Sequence, residues 1–129
     1  MSNLHLTEIG RVAIPAADQD RALDFYVGTL GFELRADSTF ADGRMRWIEV
    51  APAGAPTTIA IAPPMEGGRT AVDTGIVISS TDIEADHAAL KAAGVDVDDE
   101  IARWGEPVPP MFRLRDPAGN SLTIVEPTS

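Results

Sequence analysis

The sequence predicts an α+β fold in which one small unit is used twice. Three observations carry this. Residues 9–34 (IGRVAIPAADQDRALDFYVGTLGFEL) and 74–97 (TGIVISSTDIEADHAALKAAGVDV) share one order: an apolar strand, an Asp, a helical pattern, a Gly and a second strand. The strands alternate so that one sheet face is strongly aliphatic and the other smaller and more polar. Both helical patterns are amphipathic, so each helix has one face to bury against a sheet. A sheet covered by helices on one side leaves its second face to water, a ligand or a partner, and function is sought there.

Aligning Val12 with Ile76 and Asp18 with Asp82 gives an offset of 64 in a chain of 129 residues, and one gap then sets Gly31 opposite Gly94. The first strand carries Val12 and Ile14 on one face, Arg11 and Ala13 on the other. In the helix that follows, Ala22, Phe25, Tyr26 and Leu30 share a face at three- and four-residue spacing. Asp18 or Asp20 can cap its start, and Gly31 ends it. Ala41-Asp42-Gly43 reads as a hairpin turn leading to a strand in which Ile48 and Val50 oppose Trp47 and Glu49. Ile59 and Ile61 oppose Thr58, Ala60 and Ala62 in the next strand, and Pro63-Pro64-Met65-Glu66-Gly67-Gly68 is the expected linker.

The second unit repeats the plan. Ile76 and Ile78 oppose Gly75, Val77 and Ser79. Thr81-Asp82-Ile83-Glu84 is a capping-box pattern, Ile83 and Leu90 face the core, and Gly94 ends the helix. Residues 104–111 (WGEPVPPM) form a proline-rich loop. Asp116-Pro117-Ala118-Gly119-Asn120 is a strong turn between strands at 112–115 and 121–126, where Leu122 and Ile124 oppose Ser121, Thr123 and Val125. The whole chain, 1–129, is read as one domain, its first module at 7–64 and its second at 72–127.

Composition narrows the function classes. With 44% hydrophobic and 23% charged residues the chain is globular rather than disordered, and no apolar run reaches the roughly 18–20 residues of a membrane span. The N-terminus has no basic segment followed by a long apolar one, so no secretion signal is expected. Cysteine is absent, which excludes disulfides, thiol catalysis and thiolate metal sites and suits the cytoplasm. Twenty acidic against ten basic residues give a net charge of −10, and Lys91 is the single lysine. A nucleic acid or an anionic membrane surface would be repelled, so neither is an expected partner.

Four segments carry a resemblance: VAIPAADQDRALDFYVGTLGFEL (12–34), RWIEVAP (46–52), TDIEADHAALKAAGV (81–95) and FRLRDPAGNSLTIVEP (112–127). Through them the chain resembles the vicinal oxygen chelate superfamily of glyoxalases, extradiol dioxygenases and bleomycin-resistance proteins. The resemblance implies two βαβββ modules, each curling into a half-barrel around a concave cavity, with the helices on the outer face. It also implies a homodimer with the cavity near the interface. Catalytic members hold a divalent metal there, on two His and two Glu or two His and one Glu from the first and last strand of each module. The metal polarises vicinal oxygens of a substrate, stabilises an enediolate or activates dioxygen.

Carried over position by position, those ligands fall on Arg11, Ala60, Gly75 and Thr123. Arginine has no lone pair to donate, alanine and glycine have no ligating side chain, and a lone threonine is weak. A slip of one residue offers Gly10, Val12, Ile59, Ile61, Thr74, Ile76, Leu122 and Ile124, which are no better. No metal and no other cofactor is therefore expected. His5 precedes the first strand, His87 lies on the second helix, and no metal-binding spacing joins them. Glu126 alternates with Ile124 toward the helix side and reads as a strand-end surface charge.

The expected concave face carries Arg11, Trp47, Glu49, Thr58, Ser79, Arg113 and Thr123. Arg11 and Glu49 can pair where relatives hold a metal. Arg113 would add one positive charge in excess, which favours a ligand carboxylate, phosphate or enolate. Trp47 offers a flat surface to an aromatic ring, and Trp104 and Met111 are candidates for a lid. The expected ligand-binding residues are Arg11, Trp47, Glu49, Thr58, Arg113 and Thr123, with no catalytic residue assigned. The expected function is metal-free binding of a small organic molecule, anionic or aromatic, as in the bleomycin-resistance branch. The alternative is a lyase or isomerase of glyoxalase or dioxygenase type. It would be metal-free, with Glu49 as base and Arg11 or Arg113 on an oxyanion, or would use metal ligands from other positions.

Overall fold

The computed structural model describes residues 3–64 and 71–127. The first unit runs β1 (Arg11–Pro15), α1 (Gln19–Leu23), a π-helical segment (Asp24–Thr29), β2 (Glu33–Phe40), β3 (Met45–Ala51) and β4 (Thr58–Ala62). The second runs β5 (Asp73–Ser79), α2 (Ile83–Ala92), β6 (Asp96–Val97), β7 (Met111–Arg115) and β8 (Ser121–Val125). Each makes a four-stranded sheet of the same order, β1-β4-β3-β2 and β5-β8-β7-β6, with one parallel pair and the rest antiparallel. The fold is α+β, two βαβββ modules. No helix among the described residues is long and apolar enough to cross a membrane.

The repeat holds down to the caps. Asp18 accepts from the amide of Arg21 and Asp82 from that of Ala85, while Gly31 and Gly94 both take positive φ at the helix ends. Two local readings change. The second helix is capped by Asp82 rather than Thr81, Ser80 accepts from the Asp82 amide, and Glu84 turns outward to Arg103. The first helix widens after Leu23, closing on an i→i+5 bond from Leu30 N–H to the Phe25 carbonyl. The wider turn brings successive side chains closer in angle, so Phe25 and Tyr26 are both buried, and Leu30 is left half-buried at the end.

The aliphatic sheet faces take the helices, as alternation requires. Ile14, Ile48, Val50, Ile61, Phe112, Leu114 and Leu122 form one core with Ala22, Phe25, Tyr26 and Ile83, shared by both modules. Alternation is imperfect where tertiary packing intervenes: Thr58 and Ala60, on the face expected to be open, are buried, and Ile76 and Ile78 are only half-buried. The hairpin at 41–44 is present, Arg44 N–H donating to the Ala41 carbonyl. Pro63 and Pro64 follow β4, and the rest of the expected linker, Met65 to Gly68, lies outside the described residues.

The turn Asp116-Pro117-Ala118-Gly119-Asn120 ties the modules together. The buried Asp116 carboxylate accepts from the Tyr26 hydroxyl at 2.8 Å, from the Ala118 and Asn120 amides, and from Asn120 Nδ2. Asn120, fully buried, also donates to the Pro15 carbonyl at 2.8 Å and accepts from Val72 N–H. Gly119 sits at φ +88°, where a Cβ would stand 3.1 Å from that of Ala71. Glu126, expected at the surface, is half-buried and accepts from the Ile83 amide at 3.0 Å, satisfying a helix N-terminal donor.

Candidate functional site

Register on the first sheet determines which side chains share its open face. Arg11 pairs with Thr58, Ala13 with Ala60 and Pro15 with Ala62 across β1 and β4. Glu49 lies opposite Ala60, and Trp47 and Met45 follow it at alternate positions along β3. On β2, Ser38 faces Trp47 and Phe40 faces Met45. The face therefore runs from a polar end at Arg11, Thr58 and Glu49, through Trp47, to an apolar end.

At the polar end everything converges on Glu49. Thr58 Oγ1 donates to Oε1 at 2.6 Å, and Trp47 Nε1 donates to Oε2 at 2.7 Å. Arg11 Nε donates to the same Oε2 at 3.2 Å, an ion pair whose side chains are 57% and 14% exposed. These donors favour the ionised form. The Thr58 hydroxyl, then the Trp47 N–H, with a smaller contribution from Arg11, hold the Glu49 carboxyl below its ordinary value and outweigh the burial that pushes it up.

At the apolar end Ala13, Pro15, Phe40, Met45, Trp47 and Ala62 wall a bay of about 460 Å³. Phe40 is 49% exposed and Met45 38%, and as register partners they present adjoining apolar surface. Alternation along the strands places Trp47 and Ala13 here; Phe40 and Met45 were not among the expected residues. Met45 shares the phase of Trp47 and Glu49 along one strand. Phe40 joins only through the hairpin register, which a two-residue slip would change.

The other expected residues lie on the second sheet. Arg113 faces Thr123, which in turn faces Val77. Arg113 Nη2 approaches Asp73 Oδ2 at 3.7 Å, and its amide donates to Asp98. Among the described residues, no hydrogen bond or ion pair joins Arg113 or Thr123 to the Arg11–Glu49 group. The structure thus assembles Arg11, Trp47, Glu49 and Thr58 and leaves Arg113 and Thr123 as a separate pair. Ser79 lines a neighbouring cavity of about 340 Å³ with Val12, Thr58 and Val77. Trp104 is 68% exposed, and neither it nor Met111 walls the bay.

The side chains at the family's ligand positions do not fit a divalent cation. Arg11 brings a positive charge, Ala60 only a methyl, and Gly75 stands at φ +71° in an irregular stretch of β5. Thr123 has only Arg113 and Val77 beside it in register. Glu49 is the one carboxylate at the polar end, and both its oxygens already accept. Among the described residues no three of His, Cys, Asp and Glu come together to hold a metal. His5 is exposed, and His87 Nε2 donates to the Asp98 carbonyl at 2.7 Å with its ring edge-on to Phe112.

Known proteins show the same fold. A family model described as Glyoxalase/Bleomycin resistance protein/Dioxygenase superfamily matches residues 8–124. TnmS3, an antibiotic binding protein from Streptomyces sp. CB03234, is 30% identical with a TM-score of 0.82, covering 98% of this chain and 100% of its own. A member of the same superfamily from Sphaerobacter thermophilus DSM 20745 is 34% identical with a TM-score of 0.86, covering 95% of this chain and 99% of its own. YetH of Bacillus subtilis (strain 168), an uncharacterized protein, is 31% identical over 124 residues, 94% of this chain and 99% of its own.

Proposed function

The chain belongs to the Glyoxalase/Bleomycin resistance protein/Dioxygenase superfamily, and from that premise we propose that it binds a small organic molecule, without a metal, on the open face of β1–β4. One observation carries the reading: an apolar bay with exposed Phe40 and Met45 shares the half-buried Trp47 with a hydrogen-bonded polar group, the ring walling the bay while its N–H donates to Glu49. An apolar wall with a few oriented polar groups is the usual composition of a small-molecule site, and about 460 Å³ is within its usual range of roughly 300–1,000 Å³. The antibiotic-binding TnmS3, similar along its whole length, supports the same reading.

Binding is preferred to turnover because of the state of Glu49. A general base works best with a pKa near the operating pH, whereas three donors hold this carboxylate below its ordinary value and occupy both oxygens. The reading includes a cytoplasmic homodimer, for which the exposed Val77 and Trp104, away from the bay, supply apolar surface. Ligand-induced shifts in melting temperature test it, run on the wild type and on Trp47→Ala. Compounds that stabilise the wild type and not the variant support the site. Stoichiometric nickel, zinc, iron or manganese in the purified protein, or hits that Trp47→Ala binds equally well, would reject it.

A further inference from the structure

A concave face with two arginines invites an anionic ligand, but the structure pairs both of them. Arg11 Nε meets Glu49 at 3.2 Å, and Arg113 meets Asp73 at 3.7 Å on the other sheet. Glu49 is held in place from both sides, by Thr58 on one oxygen and Trp47 on the other, so it cannot swing away to expose Arg11 without breaking two short hydrogen bonds. Neither of these two guanidinium charges is left without a carboxylate, and the chain's net charge of −10 repels anions from further out. The Arg11 Nη groups have no acceptor among the described residues.

Resting on the small-molecule reading above, we infer that Glu49 is a selectivity residue: by cancelling the Arg11 charge it makes the bay accept uncharged, largely apolar molecules and discriminate against anions of the same shape. Trp47 couples the two halves, since its ring walls the bay while its N–H fixes the carboxylate.

The test uses two probes with one anilinonaphthalene body, uncharged N-phenyl-1-naphthylamine and its sulfonate, 8-anilinonaphthalene-1-sulfonate. The chain has two tryptophans, so Trp104→Phe leaves Trp47 as sole donor for energy transfer to a bound probe. The uncharged probe binds more tightly in this background. Glu49→Gln, which keeps the shape and one acceptor oxygen for Trp47 and Arg11 while its NH2 can donate to the Thr58 hydroxyl, raises sulfonate affinity about fivefold, the size of one exposed charge interaction. The uncharged probe changes less than about twofold, within the same measure of a surface charge. Arg11→Met, the reciprocal variant, weakens the sulfonate and leaves the uncharged probe in place. Tighter binding of the sulfonate by the parent protein, or an affinity ratio that neither variant moves, overturns the charge inference and leaves the binding site standing. Failure of both probes to receive energy from Trp47 overturns the binding site as well.

Discussion

Tyr26→Phe isolates one hydrogen bond that joins the two modules. The ring is fully buried and edge-on to Phe25 at 5.1 Å, contacts the substitution preserves. Only the hydroxyl is lost, and with it one of the four hydrogen bonds that Asp116 accepts. A hydrogen bond to a charged group contributes about 1.5–3 kcal/mol, so the variant should lose about 2 kcal/mol in urea unfolding followed by circular dichroism. For a chain of this length that corresponds to a fall of about 7 °C in Tm. The same hydroxyl predicts a pH dependence. Burial first, then the negative charge and hydrogen bond of Asp116, push the phenol far above its ordinary value of 10.0. The folded pKa is raised, so the stabilisation is complete below pH 10.0 and is lost above it, where the unfolded chain ionises first. Unfolding free energy should fall by about 1.4 kcal/mol more per pH unit in that range than it does in Tyr26→Phe. Tyr26 is the only tyrosine, so phenolate absorbance reads this one group and should rise only as the circular dichroism is lost. A phenol that titrates near its ordinary value in folded protein, or a variant within about 0.5 kcal/mol of wild type, would refute the clamp.

Asn120→Ala removes the donor to Pro15 and the acceptor for Val72 and leaves both backbone groups unsatisfied, so it should cost about 3 kcal/mol or prevent folding, measured by the same urea titration. Gly119→Ala should cost about 1–2 kcal/mol, because an L side chain is strained at positive φ and its Cβ meets Ala71. Glu49 has a lowered folded pKa, so its contribution to stability is present above its ordinary value of 4.5 and is lost as pH falls through the folded value. Unfolding curves of wild type and Glu49→Gln should therefore converge on acidification, and parallel curves would rule this out. Phe40→Ala should weaken an apolar ligand about tenfold, read by titration calorimetry, with little change in Tm, because the side chain is 49% exposed.

The repeat, the caps and the faces of the strands were legible in the chain because they are local. An Asp before a helical pattern, a Gly after it and alternation at period two depend on neighbours within a few residues. Arg11, Trp47, Glu49 and Thr58 could be placed on one face by phase alone. Phe40 could not, since its place beside Met45 depends on hairpin register. Nor could the partners of Glu126, Tyr26 and Asn120, which lie 43, 90 and 105 residues away along the sequence. Packing also reshaped what local pattern implied. The first helix widened so that Phe25 and Tyr26 could both enter the core, and the two arginines expected on the concave face, one from each module, each met its own carboxylate. Local order sets which face of an element a side chain occupies; which charges meet, and so what a cavity can hold, depends on elements brought together from far apart in the chain.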